Sequence, residues 1–243
     1  MNSPQKIKQK LSFKYPYRIE LHAHTTPASH CSDISPEEMA KIYSEKGFNG
    51  IVVTNHFILN DMQDCSKEEA LKRYLADYEE TKKAGERLGL SVFLGAELRF
   101  TENDNDYMLY GVDKDTLSVC YDFLTEGVEY FRKNVSLPKS VFVQAHPFRN
   151  GVTPCAPELL DGVEIFNMHP GHNSRVGLSV RYAKENHIAV KTAGSDFHHK
   201  NIGHEAVAAL RTKVLPKDSF HLAKILKSGD YLLELGEDAL VLP

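Results

Sequence analysis

Apolar residues along this chain follow two alternating patterns: short runs rich in β-branched residues, and longer segments with apolar positions three and four apart. The short runs cover residues 18–21, 50–54, 91–96, 141–145, 162–166 and 189–194. Each stops at a polar or titratable group: His22, Asn55 then His56, Glu97, His146, Asn167, and Ser195 then Asp196. Of the longer segments, 67–88 is the clearest helix, because Ala70, Leu71, Tyr74, Leu75, Tyr78, Ala84 and Leu88 form one stripe. Its other face carries Glu68 with Lys72, Glu69 with Arg73 and Glu79 with Lys83, the pattern of a solvated surface. Further helices are predicted at 36–46, where Ser35 caps and Pro36 takes the first position, at 175–186 and at 216–227. Alternation of strand and helix predicts an α/β fold with a mainly parallel sheet, either closed as a barrel or open and doubly wound. No repeat, low-complexity tract or linker interrupts it, so residues 1–243 read as one domain.

Composition narrows the function. With 243 residues, 42% apolar and 26% charged, the chain can bury a sizeable core without disulfides or a structural metal. Metal ligands in it would therefore serve chemistry. The net charge of −4, from 29 basic and 33 acidic residues that are interspersed, disfavours a stable nucleic-acid partner. Cys31, Cys65, Cys120 and Cys155 show no C-x-x-C spacing and fit a reducing compartment. No run approaches the roughly 18 apolar residues of a membrane span, and the basic, polar start lacks a signal-peptide core, so a cytoplasmic location is expected. The unusual count is twelve histidines with no tryptophan.

His22 and His24 lie two apart at a strand end, which turns both rings to one face where they can meet one cation. Alone, H-x-H is equally a pair of polar strand-end residues. The argument gains weight because His56, Glu97, His146, Asp196 and His198 also stand where apolar runs stop. In α/β barrels the carboxyl ends of the strands gather at one face, which carries the catalytic residues. Crowding so many titratable groups there is costly unless cations neutralise and organise them.

His22-Ala23-His24-Thr25, Thr54-Asn55-His56, Gly95-Ala96-Glu97, Ala145-His146-Pro147 and Gly194-Ser195-Asp196-Phe197-His198 resemble the successive motifs of the PHP family, named for polymerase and histidinol phosphatase domains. The resemblance runs from about Arg18 to Leu210. It implies a distorted seven-stranded (β/α) barrel holding two or three divalent ions at its C-terminal face. By position, His22, His24, Glu97 and Asp196 would bind one ion. Glu97 would bridge to a second ion, held also by His146 and by His172 or His169; a third would use His30, His56 and His198. Family members usually carry Asp where Asn55 stands, so the third ion is expected to bind most weakly.

The activity implied is metal-dependent hydrolysis of a small phosphorylated metabolite or nucleotide by water, with Glu97, Asp196 and His198 in the catalytic centre. Absence of a G-x-S-x-G elbow or a Walker loop agrees with a water nucleophile. His169 or His198 is the candidate general acid. Arg149 and Arg175, on loops at the same face, are candidate phosphate donors, since a guanidinium offers a planar fork to phosphate oxygens. Imidazole-rich ligands with two carboxylates suit Zn, Mn or Fe. The alternatives are a metal hydrolase acting on a C–N or carboxylic ester bond and a non-catalytic PHP-like binding module. The short stretch between Glu97 and His146 leaves no room for an inserted lid domain.

Overall fold

The structure is a computed structural model that describes residues 3–62, 65–200, 203–236 and 239–243. Its first half runs α1 (Pro4–Lys14), β1 (Tyr17–Ala23), α2 (Pro36–Glu45), β2 (Gly50–Val53), β3 (His56–Ile58), α3 (Lys67–Leu88), β4 (Ser91–Arg99) and β5 (Asp106–Tyr110). The second half runs α4 (Lys114–Phe123), α5 (Val128–Asn134), β6 (Val141–Gln144), β7 (Gly162–Asn167), α6 (Val176–Glu185), β8 (Val190–Gly194), β9 (Ala208–Thr212), α7 (Ser219–Ser228), β10 (Leu232–Leu235) and β11 (Ala239–Val241).

Local chemistry explains where the helices start. At α2, Ser35 Oγ accepts from the Glu38 amide while the Glu38 carboxylate accepts from the Ser35 amide, a reciprocal capping box with Pro36 at the first turn. Ser66 caps α3, and Gly89 ends it at φ +71°, a left-handed conformation that favours glycine. The buried line of α3 contains Ala70, Leu71, Tyr74 and Ala84 as expected, but also Asp77 and Thr81, while Leu88 is exposed. Asp77 is inside because its carboxylate accepts from Thr25 Oγ1 and the Ala28 amide, both at 3.0 Å. This part of the helix therefore clamps the loop after β1.

The expected seven-stranded, mainly parallel barrel requires correction. The described residues form an eleven-stranded mixed sheet, in the order β11-β10-β9-β1-β2-β4-β5-β6-β7-β8, with β3 paired to β4. β1, β2 and β4 are parallel, as are β6, β7 and β8, but β5 is antiparallel to both its neighbours. The reason is covalent reach: a parallel return needs a crossover of about a dozen residues, and the link between Arg99 and Asp106 is far shorter. β9, β10 and β11 add an antiparallel meander along β1. The sheet curls into a half-barrel, and the chain leaving β8 meets the end of β1, where the His24 amide donates to the Phe197 carbonyl at 3.0 Å.

Alternation along β4 divides the core. Leu94, Ala96 and Leu98 pack in one cluster with Ala70, Leu71 and Tyr74 of α3 and Leu117 and Cys120 of α4. Phe93 joins the opposite cluster with Ile19, Leu21, Met108, Val143 and Val163, and Glu97 shares its face. Met39 and Tyr43 of α2 cover Ile51, Val53 and Phe197 in a third cluster. Among the described residues no helix is long and apolar enough to cross a membrane.

At the end of β8 the backbone passes so close to β1 that a methyl group on Gly194 would lie 2.7 Å from Glu164 Oε1 and nearer still to His22 Cβ. Gly194→Ala should therefore lower stability by about 2–3 kcal/mol, as overpacking of a close-packed site does, read as a fall in the urea midpoint. An unchanged midpoint would show that this approach is not tight.

Candidate metal centre

The donors converge from five strand ends. His22 and His24, on and just after β1, place their ring centroids 5.1 Å apart. Glu97 of β4 pairs in register with His56 of β3. His146 follows β6 and Asp196 follows β8, at φ +30° and +52°. These left-handed conformations cost of order 1–3 kcal/mol and persist only where surroundings hold them. Glu164 of β7 does this for His146, its Oε2 accepting the His146 amide at 3.0 Å.

Distances among the donors have the scale of a coordination shell. His22 Nε2 lies 3.3 Å from both Glu97 Oε1 and Asp196 Oδ1, and His24 Nε2 lies 3.3 Å from Glu97 Oε2 and 3.6 Å from Asp196 Oδ1. Four ligands held tetrahedrally at about 2.0–2.1 Å from an ion stand roughly 3.3–3.4 Å from one another. Glu97 also reaches outward, with Oε1 at 3.2 Å from His146 Nε2 and Oε2 at 3.1 Å from His56 Nδ1. Three groupings could each hold an ion: His22, His24 and Asp196; His22, Glu97 and His146; and His24, His56 and His198.

The remaining ring atoms are spoken for in a way that leaves the inner ones free. His22 Nδ1 bonds Glu164 Oε1 at 2.9 Å and His24 Nδ1 bonds Ser29 Oγ at 3.0 Å. His22 Nε2, His24 Nε2, His56 Nδ1 and Glu97 Oε2 are buried with no hydrogen-bond partner. Orphaned polar atoms at this depth cost about 1–3 kcal/mol each. Cations shared among them would satisfy all four, so the donor set fits divalent metal.

Electrostatics describe the metal-free cluster. Burial pulls the His22 ring down, but Asp196, Glu164 and Glu97 outweigh it and hold the pKa well above the ordinary range. Against the same opposition from burial, Glu97 lifts His56 to about 10, and Asp196 with Cys31 lifts His198 to about 9. Burial would raise Glu97 and Asp196, yet the surrounding imidazoles, His22 above all, hold both well below the usual carboxylate range. His24 goes the other way: burial and then His198 and His56 keep it neutral. Protons on some rings thus supply the countercharge a metal would bring.

The other sequence candidates scatter. His30 is 66% exposed, its Nδ1 3.6 Å from Asp61, outside the three groupings. His172 places Nδ1 3.9 Å from Asp196 Oδ2, and His169 stacks on it at 4.0 Å. Burial, reinforced by His172 and resisted by Asp196, takes His169 down to about 4, so its ring is neutral at pH 7. Arg149 Nη1 lies 3.3 Å from His146 Nε2 and 3.5 Å from His172 Nδ1, at the cleft wall. Arg175 is turned to the loop instead, donating to the Phe148 carbonyl at 2.7 Å and Asn150 Oδ1 at 2.6 Å. The Asn55 side-chain amide bonds Thr25 and Ser29.

Sequence reasoning missed four residues. Glu164 orients His22, and Asn167 Nδ2 ties Glu164 Oε2 to Asp196 Oδ2 at 3.0 Å each. Asp106, fully buried on β5, is gripped by Arg99 at 2.7 and 2.8 Å, touches Arg149 Nη2 at 3.3 Å and stands 3.7 Å from His146 Nε2. Cys31 is the fourth: the His198 and His56 imidazoles draw its thiol down to about 6 against burial. A lone acid within the apolar run 162–166 was the available signal for Glu164. The cleft lined by His56, Glu97, Arg149, His172, Asp196 and His198 measures about 440 Å³, the scale of a small-molecule site.

Residues 20–205 match the family model described as PHP domain. The fold is similar to that of a two-domain protein from Bacteroides vulgatus containing a predicted PHP-like metal-dependent phosphoesterase, with TM-score 0.60, 13% identity, and coverage of 92% of this chain and 66% of that one. It is also similar to PsfC from Pseudomonas syringae, with TM-score 0.55, 15% identity and 80% coverage of each chain. No match is found among curated proteins.

Proposed function

Because this chain belongs to the PHP domain family, we propose that it is a metal-dependent phosphoesterase, hydrolysing a small phosphorylated metabolite or nucleotide with water as the nucleophile. The observation that carries this reading is the set of inward donor atoms on His22, His24, Glu97 and Asp196, spaced 3.3–3.6 Å apart, three of them on the rings and carboxylate left without hydrogen-bond partners. These four residues would hold one ion. Glu97 and His146 would hold a second with His172, whose Nδ1 already faces Asp196. His56 and His198 would hold a third, in which His30 takes no part while it faces Asp61. Zn, Mn and Fe suit this mixture of imidazole and carboxylate.

When bound, such ions lower the pKa of a water to near neutrality and neutralise charge on the phosphoryl oxygens. The chain's own residues position and bind. Glu164 fixes the His22 tautomer with Nδ1 protonated, which leaves Nε2 as the donor atom. Arg149 offers its guanidinium to the phosphate, held in place by Asp106. His169, neutral at pH 7, serves as a hydrogen-bond acceptor or ligand, and His198 can deliver a proton only while the third position holds no ion, because a metal displaces the proton of a ring nitrogen that binds it. Arg149→Ala should raise KM for a phosphoester about tenfold or more while changing kcat less; unchanged kinetics would remove Arg149 from the site.

The deciding experiment measures bound metal and turnover on one preparation, with phosphomonoesters, phosphodiesters, carboxylic esters and amides, each with Mn, Zn or Fe(II). Phosphoester turnover that scales with bound metal is expected. Turnover of amides or carboxylic esters without phosphoesters would redirect the assignment to another hydrolase, and a protein that binds no metal would end it.

A further inference from the structure

We propose that Arg99 is a second phosphate-binding residue of the cleft, joined to Arg149 through the buried carboxylate of Asp106 so that the two guanidinium groups hold one phosphoryl group. This deepens, and rests on, the reading of the cleft as a phosphoesterase site. Arg99 stands two residues past Glu97 on β4, so the pleat turns both side chains to one face. Arg99, Glu97, Arg149, His172 and Asp196 all line the same cleft.

The bonds of Asp106 set the two arginines side by side. Arg99 faces Asp106 across the β4–β5 pair and donates from Nε to Oδ1 at 2.7 Å and from Nη2 to Oδ2 at 2.8 Å. Arg149 donates from Nη2 to the same Oδ2 at 3.3 Å. Two nitrogens that share one oxygen at these distances stand no more than about 6 Å apart, near enough for one phosphoryl group to accept from both through charge-assisted bonds of about 2.8 Å. Arg99 Nη1 takes no part in the grip on Asp106, and Arg149 Nη1 extends to 3.3 Å from His146 Nε2. The row runs outward from the metal donors through His146, Arg149, Asp106 and Arg99, so a phosphate bound by Arg149 has Arg99 as its next cation.

Holding Asp106 does not by itself account for two arginines. Arg99 already meets both carboxylate oxygens, and a bidentate pair suffices for an acid at 0% exposure. The three side chains together carry one uncompensated positive charge. Of the nearby acids, Glu97 is engaged by the imidazoles, and Asp104 is exposed on the turn after β4. The two guanidinium groups, 27% and 19% exposed, keep a polar face open to the cleft, where an anion balances them.

The test measures binding of inorganic phosphate by calorimetry to the whole chain loaded with Mn, in wild type, Arg99→Met and Arg99→Gln, and in each of these with Arg149→Met added. Gln still donates to Asp106 but carries no charge, and urea midpoints and bound Mn show which variants keep the fold and the metal. Either Arg99 variant should weaken phosphate about tenfold and raise KM for a phosphoester by a similar factor, with bound Mn unchanged. The decisive comparison is in the Arg149→Met background. There Arg99→Gln should weaken phosphate by a further factor of about five or more, because Arg99 touches the anion itself. A loss that disappears in that background would show that Arg99 acts only by holding Asp106 and Arg149, and would overturn the inference. Phosphate affinity unchanged in Arg99→Gln would overturn it as well, and in both cases phosphoester turnover by wild type would leave the proposed activity standing. A wild type that neither binds phosphate nor hydrolyses phosphoesters would overturn both.

Discussion

Replacing Glu97 by Gln is expected to reduce kcat/KM on any phosphoester substrate by a factor of 1,000 or more, a loss of about 4 kcal/mol of transition-state stabilisation. The magnitude follows from its place. Glu97 is 1% exposed, one oxygen facing His22 and His146 and the other facing His24 and His56. Asp196 also spans His22 and His24, but among the described residues Glu97 is the acid that reaches both His146 and His56 as well. An amide would present its NH2 to at least two of these rings, replacing attraction by repulsion toward the cation between them. Bound metal, measured on the same sample, should fall by at least one ion per chain, while the far-ultraviolet circular dichroism stays that of wild type. Activity within tenfold of wild type would dismiss Glu97 as the organising ligand.

Removal of divalent ions by a chelator should abolish turnover and leave the chain folded, because its three apolar clusters do not include the donors. What changes is the response to pH. In the metal-free protein His22 is held well above its ordinary value, His56 at about 10 and His198 at about 9. Rings whose folded-state pKa is raised give stability that is complete below their unfolded value near 6.5 and is lost as pH rises through 9 to 10. Glu97 and Asp196, held low, give stability that is present above their unfolded values near 4 and lost as pH falls below them. His24 and His169, held low by burial, act the other way and cost stability as pH falls below their unfolded value near 6.5, so metal-free protein should be most resistant to urea near pH 6.5. Metal must displace the ring protons, so its affinity should rise with pH through the neutral range, and loading at pH 7 should release protons. Calorimetry in two buffers of different ionisation enthalpy measures that release. Absence of proton release on loading would show that these rings are not ligands.

Legibility in the sequence depended on how local the determining physics was. The strand cores at 50–53, 91–96 and 162–166 and the span of α3 could be read because their patterns need only neighbouring residues. Strand β5 could not, since its place rests on the short link after β4 and on pairing with β6, residues apart in the chain. The same limit governed the site. His22, His24, Glu97, His146, Asp196 and His198 stood out because each ends an apolar run. Glu164, inside such a run, and Asp106, on the unread strand, acquire meaning only through partners: His22 and the His146 amide for one, Arg99 and Arg149 for the other.

His30 marks the boundary most sharply. Spacing along the chain favoured it as a ligand, and its direction, toward Asp61, goes with a loop held from both ends by Ser29, Ser32 and Asp77. From its own sequence the chain determines which donor chemistry it carries and near which strand ends, because strand termini are set by local apolar patterning. Which donors share an ion, and which are turned to solvent, was decided only by the curl of the sheet and the pinning of its loops, because those are contacts between residues as far apart as Glu20 and Ser195.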